Sequence, residues 1–130
     1  MNENRFLLDT NTVIYLTTEG NSISEELEKQ LDEADLFISV ISEIELFCKP
    51  EMPQNEEDNL RAFISQRLIV MDLSSAIKKE TIKLRRNTKQ KLPDCIVAAT
   101  AIVLNAVLIT ADKRLLNVSL PGLRMQSIVV

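Results

Sequence analysis

Short blocks of consecutive apolar residues alternate along this chain with longer stretches in which apolar residues recur every three or four positions. The blocks Phe6-Leu7-Leu8, Leu36 to Ile41, Leu68 to Met71, Val107 to Ile109 and Met125 to Val130 predict five strands. They lack the polar–apolar alternation of a sheet with one wet face, so they read as strands buried on both sides, with the last at an edge. The helical stretches start with Thr12 to Leu16, which has Asp9, Thr10 or Asn11 near its cap. Ser22 to Ala34 carries Ile23, Leu27 and Leu31 on one face and opens on a Ser22-x-x-Glu25 capping box. Ser42 to Phe47 repeats the box as Ser42-x-x-Glu45, and Glu56 to Gln66 is a charged helix beyond the Pro50 and Pro53 loop of 49–55. Ser74 or Ser75 opens a helix with Ile77, Ile82 and Leu84 as apolar positions. Pro93 suits the first helical position of Asp94 to Leu104, a segment apolar enough to be buried on most sides, and Lys113 to Leu116 makes a short turn or helix.

Strands alternating with helices predict an α/β fold with a mostly parallel sheet covered on both faces. Ligands of such folds sit beyond the carboxyl ends of the strands. With 130 residues the chain reads as a single domain, 1–130. No apolar run approaches the 18 residues of a membrane span and no leader pattern opens the chain. Cys48 and Cys95 have neither metal nor redox spacing and read as small buried residues, which together with the missing leader fits a reducing cytoplasm.

Charge changes the picture in one place. The net charge of −4 and the absence of Trp count against a nucleic-acid platform. Between positions 78 and 91, however, Lys78, Lys79, Lys83, Arg85, Arg86, Lys89 and Lys91 face only one acid, Glu80, and much of the chain's acid lies in 19–58. A run of this kind is most often a solvated helix face. Its asymmetry also suits neutralisation of RNA phosphates, which gives affinity without sequence choice.

The candidate chemistry lies in four carboxylates: Asp9 in LLDTNTVIYL, Glu45 in VISEIELF, Asp94 in KLPDCIVAATA and Asp112 in VLITADKRL. Asp9 and Asp112 each lie just past a predicted strand, and Glu45 and Asp94 lie in the first turns of predicted helices, where anions are favoured. In a chain without histidine, four acids in one crevice describe an oxygen-only site for a hard divalent cation, Mg²⁺ or Mn²⁺. Phosphoryl transfer or phosphodiester hydrolysis is the chemistry such a site serves. Each acid has a plainer use. Asp9 caps a helix, Glu45 completes the box with Ser42, Asp94 complements a helix N-terminus and Asp112 ends a turn, with a cap contributing about 0.5–2 kcal/mol.

Taken together the four segments resemble the motifs of the PIN-domain ribonucleases, and among them the VapC-type toxins of bacterial toxin–antitoxin pairs, from Asp9 to Asp112. LLDTNTVIYL is similar to the first motif, ISVISEIEL to the second with Glu45 directly before Leu46, LPDCIVAATA to the third and LITADKRL to the fourth. Glu43 is close enough to leave the register of the second motif open, and Leu115 departs from the Phe of many relatives. The resemblance implies a three-layer α/β/α sandwich and a Mg²⁺- or Mn²⁺-dependent endoribonuclease acting on tRNA, rRNA or mRNA. Asp9, Glu45, Asp94 and Asp112 would hold the metal, with Asn11 and Thr110 touching its waters or its ligands. It also implies a homodimer and a cognate antitoxin. Two alternatives stand beside it. One is a PIN-type assembly module without turnover. The other is a Mg²⁺-binding phospho-acceptor domain, against which the lack of a second acid beside Asp9 counts.

Overall fold

The computed structural model describes residues 4–128. Five strands, β1 (Arg5–Leu8), β2 (Asp35–Ser39), β3 (Ile69–Met71), β4 (Val107–Thr110) and β5 (Arg124–Ser127), form one sheet in the order β3-β2-β1-β4-β5. Every pairing is parallel, with Leu8 opposite both Ile38 and Ile109. The expected mostly parallel sheet is therefore wholly parallel among the described residues. β5 is an edge as expected, and the two final residues of the strand predicted to reach Val130 lie outside the described residues.

Among the described residues seven helices connect and cover the sheet: α1 (Thr10–Thr17), α2 (Glu25–Asp32), α3 (Val40–Phe47), α4 (Gln54–Arg67), α5 (Ser75–Asn87), α6 (Leu92–Leu104) and α7 (Lys113–Leu116). The two-residue period of the strands decides which helices cover which face. Phe6, Leu8, Leu36, Ile38 and Ile109 face one core, shared with Val13 of α1, Leu27 and Leu31 of α2 and Leu60 and Ile64 of α4. Leu7, Phe37 and Leu108 face the other, against Val97 and Ala101 of α6 and Leu115 of α7. α5 then packs on α6 through Ile77 and Leu84 against Cys95, Ala98 and Ala99, whose small side chains let the two helices approach closely. The result is the three-layer α/β/α sandwich. None of its helices among the described residues is long and apolar enough to cross a membrane.

Several local expectations differ from the structure. Pro93 is the second helical residue of α6, after Leu92, and Glu45 falls in the second turn of α3 because that helix starts at Val40. α2 is capped by Ser24, whose hydroxyl accepts the Leu27 N–H, rather than by Ser22. β2 stops at Ser39 instead of running to Ile41, because the Ser39 hydroxyl caps α3 and turns Val40 and Ile41 into its first residues. Ser42 thus lies inside α3, fully buried, and its hydroxyl finds no hydrogen-bond partner among the described residues. Cys95 is buried as expected, but Cys48 is exposed, since it is the residue at which α3 ends and the chain leaves the core for the proline loop.

Candidate active site

The chain winds outward from β1 to β2 and β3, then crosses back to β4 and continues outward to β5 on the other side. The segments after β1 and β4 therefore depart in opposite directions, and a crevice opens between them at the carboxyl ends of the strands. Asp9 follows β1 and Asp112 lies two residues beyond β4, so strand order alone sets one acid on each lip. Glu45 arrives on the second turn of α3, and Asp94 on the first turn of α6. All four line one open cleft of about 270 Å³, together with Thr10 and Asn11 and an apolar wall of Pro93, Val97 and Leu115.

Each acid is held differently. The Asp9 N–H donates to the Ile109 carbonyl at 3.3 Å and its Oδ1 accepts the Thr12 N–H at 2.8 Å, so Asp9 caps α1 while facing the cleft. Fully buried Thr12 returns a second bond to the same Ile109 carbonyl at 2.9 Å, tying α1 to β4. Glu45 is exposed, and its Oε1 accepts the Thr10 hydroxyl at 2.7 Å. Asp112 Oδ1 accepts the N–H groups of Arg114 and Leu115 at 2.9 and 3.4 Å, and its own N–H donates to the Thr110 hydroxyl at 3.0 Å. Asp94 caps nothing: α6 has Lys91 at its cap position and no side-chain cap bond.

The electrostatics follow from these contacts. Burial raises the Asp94 carboxyl above its ordinary value, and the neighbouring charges of Asp112 and Glu45 raise it further, against the pull of Lys91 and Arg114. Burial also pushes Asp112 upward. The backbone N–H groups of Arg114 and Leu115 and the Arg114 guanidinium, 3.5 Å from Oδ2, outweigh it and hold this carboxyl low. The cleft therefore joins an acid stabilised as an anion to one whose anion is disfavoured first by burial and then by its fellow acids.

The sequence-based candidates sort clearly by position. Asp9, Glu45, Asp94, Asp112 and Asn11 line the cleft, and Glu43 does not. Thr110 is fully buried beneath it, orienting Asp112 through its backbone instead of facing the opening. Of the basic residues, Lys78, Lys79, Lys83, Arg85 and Arg86 lie on α5 and Lys89 and Lys91 in the link to α6, all outside the cleft lining. Two further residues contribute that the sequence motifs do not single out. Thr10, a candidate cap by sequence, fixes Glu45 through its hydroxyl, a role to which its place beside Asp9 in the first motif is the one local pointer. Arg114, two residues from Asp112, supplies positive charge to two of the four acids.

A doubly wound parallel sandwich with four acids at its switch point defines a class of α/β proteins with an anionic, oxygen-lined cleft. The chain belongs to the PIN domain family, which it matches over residues 6–120. Comparison with curated proteins gave no significant match. Among solved structures, the chain is similar to VapBC2 from Rickettsia felis bound to a DNA fragment from the promoter, with a TM-score of 0.81 at 23% identity, over 95% of this chain and 98% of that one. It is also similar to DNA-bound VapBC from Salmonella typhimurium, with a TM-score of 0.74 at 27% identity over 95% and 97% of the two chains. A toxin–antitoxin complex from Klebsiella pneumoniae gives a TM-score of 0.70 at 28% identity over 90% and 93%. The likeness to VapC-type PIN toxins thus extends over nearly the whole chain.

Proposed function

We propose that residues 1–130 act as one domain, a cytoplasmic metal-dependent endoribonuclease and the toxin of a type II toxin–antitoxin pair, working as a homodimer on tRNA, rRNA or mRNA. The observation that carries this reading is the convergence of four acids from four separate segments on one cleft of a PIN-family chain. The similar VapBC and toxin–antitoxin complexes support a cognate antitoxin as partner.

The donor set suits Mg²⁺ or Mn²⁺. Among the described residues no three acids stand close enough to ligate one ion directly. Mg²⁺ commonly keeps several waters and takes only one or two carboxylates directly, so four acids around a cleft wide enough for water meet its needs. Burial, and after it the repulsion of Asp112 and Glu45, disfavours the Asp94 anion, and a divalent cation would offset both. Asp9, Glu45, Asp94 and Asp112 would hold the ion directly or through water. When bound, it would supply Lewis acidity, lowering the pKa of water and offsetting charge on phosphoryl oxygens. The chain's own part is positional. The α1 cap fixes Asp9, the Thr10 hydroxyl fixes Glu45, the α7 cap keeps Asp112 ionised, and Asn11 offers an amide at the rim. The apolar wall of Pro93, Val97 and Leu115 would limit water on its side of the cleft.

The test is cleavage of total cellular RNA by the purified protein with Mg²⁺, Mn²⁺ or EDTA, beside Asp9→Asn and Asp94→Asn. Metal-dependent cutting that leaves 5′-phosphate and 3′-hydroxyl ends, lost in both variants, is the expected result. Cutting that persists in EDTA, or that leaves a cyclic phosphate, sinks the metal-water mechanism.

A further inference from the structure

Only part of the basic run borders one groove. At 100° per residue, Lys79, Lys83 and Arg86 lie on the side of α5 opposite the buried Ile77, Thr81 and Leu84, while Lys78 and Arg85 lie about 100° round the helix, beyond the exposed Ile82. The first three form a flank that borders a surface groove of about 550 Å³ that also presents the exposed apolar side chains of Ile82 on α5 and Val103 on α6. None of the seven cations between 78 and 91 forms a salt bridge among the described residues. Elsewhere Lys49, Arg61, Arg67 and Arg114 each pair with a carboxylate. In a chain with 19 acids, only Glu80 shares the groove with these three cations.

The flank also points somewhere. The link of 88–91 between α5 and α6 is too short for anything but an antiparallel pair, so the Arg86 end of the row lies toward the start of α6. There Lys91 occupies the cap position, three residues before Asp94, and its charge reaches that carboxyl. A second copy of this chain is a poor occupant of the groove. A two-fold contact would set Lys79, Lys83 and Arg86 against their own counterparts, with Glu80 the one acid beside them.

We infer that the Lys79, Lys83 and Arg86 flank of α5, continued by Lys91, is a phosphate-binding rail that holds an RNA strand outside the acid cleft and leads its backbone toward Asp94. The inference rests on the ribonuclease reading for its direction, but the rail itself binds RNA whether or not the cleft turns over. Its recognition is of backbone charge, so it adds reach and affinity without sequence choice. The groove's apolar side chains give the sugar and base edges a dry surface.

The experiment measures binding of a 20-nucleotide oligouridylate by fluorescence anisotropy in EDTA, at several salt concentrations, for the wild type and for the combined Lys79→Gln, Lys83→Gln and Arg86→Gln variant. Lys78→Gln with Arg85→Gln is the comparison, and thermal unfolding verifies that each variant folds. Loss of three phosphate contacts lowers the slope of log affinity against log salt by about 2. The rail is supported if the triple variant shows this change and the flanking pair shows less. It is overturned if the slope is unchanged, or if the triple variant alters the oligomeric state in sedimentation without altering RNA affinity, which would make the groove a protein interface. Cleavage of total RNA in Mn²⁺ separates the two readings. A wild type that binds RNA through the rail but never cuts leaves the rail standing and removes the nuclease. A triple variant that binds and cuts as the wild type does removes the rail alone.

Discussion

Asp9 has two jobs in this structure, and a pair of substitutions separates them. Its Oδ1 caps α1 through the Thr12 N–H at 2.8 Å, and the same carboxyl lines the acid cleft. Asparagine caps a helix about as well as aspartate, because the bond to the backbone needs one side-chain oxygen and no charge. Asp9→Asn should therefore hold stability within a few tenths of a kcal/mol. Asp9→Ala removes the side-chain acceptor that caps α1's first turn, at a half-buried position, and should cost about 1 kcal/mol. For a chain of this size that lowers the melting temperature by about 3–6 °C. The charge is lost in both variants, so RNA cleavage should fall at least about 100-fold in each, more than a supporting contact alone would cost. The assays are thermal unfolding in EDTA and cleavage of total RNA in Mn²⁺. If Asp9→Asn cuts RNA at the wild-type rate, Asp9 is only a cap and the metal reading of the cleft fails at its best-placed residue. If Asp9→Asn unfolds as readily as Asp9→Ala, the capping argument is wrong instead.

Thr10→Val keeps the shape of the side chain and removes the 2.7 Å bond to Glu45, so cleavage should drop about 10-fold with little change in stability; an unchanged rate would show that Glu45 needs no such anchor. Ser42→Ala should raise stability by about 1 kcal/mol in denaturant unfolding, since it deletes a buried hydroxyl with no partner; a loss of similar size would restore Ser42 as a helix cap. The pH dependence follows from the opposite shifts of two acids. Asp94 has a folded-state pKa above its ordinary 3.8, so the folded chain binds that proton more tightly than the unfolded one. Its ionisation therefore costs the metal-free protein stability above the raised value, and the cost is relieved as pH falls through it. Asp94→Asn should then be more stable than the wild type near neutrality in EDTA, with the difference vanishing in acid; equal urea midpoints at neutral pH would refute this. The contribution of Asp112 runs the other way: present above 3.8, and lost as pH falls through its depressed folded value. Asp112→Asn, compared with the wild type in the same urea series, should show its deficit at neutral pH and lose it in strong acid.

The apolar blocks located all five strands, and the inner β1, β2 and β4 are buried as expected, because a central parallel strand needs helices on each side and cannot carry polar alternation; β3, read as buried, is instead an edge with Ile69 exposed. The 3.6-residue spacing placed the longer helices for the same kind of reason. Helix starts were less legible. Ser22, Ser24, Ser39 and Ser42 are alike in sequence, and which one caps depends on where the strand before it must stop to keep its register, as Ser39 does opposite Met71 at the end of β2. The four acids could be named from their local motifs, since each motif is a strand end or helix start that recurs with the family. Their meeting in one cleft was not local information. It follows from strand order, which sets β1 beside β4 and so places Asp9 against Asp112 across about a hundred residues of chain. The same holds for Thr10 reaching Glu45 on another helix, and for the groove beside α6 that Lys79, Lys83 and Arg86 border and Lys78 and Arg85 do not. The chain alone fixed which residues were chemically able to act, because that is a matter of side-chain type and local period. Only the tertiary structure decided which of them act together, because proximity between distant segments is set by how the sheet is wound and what packs upon it.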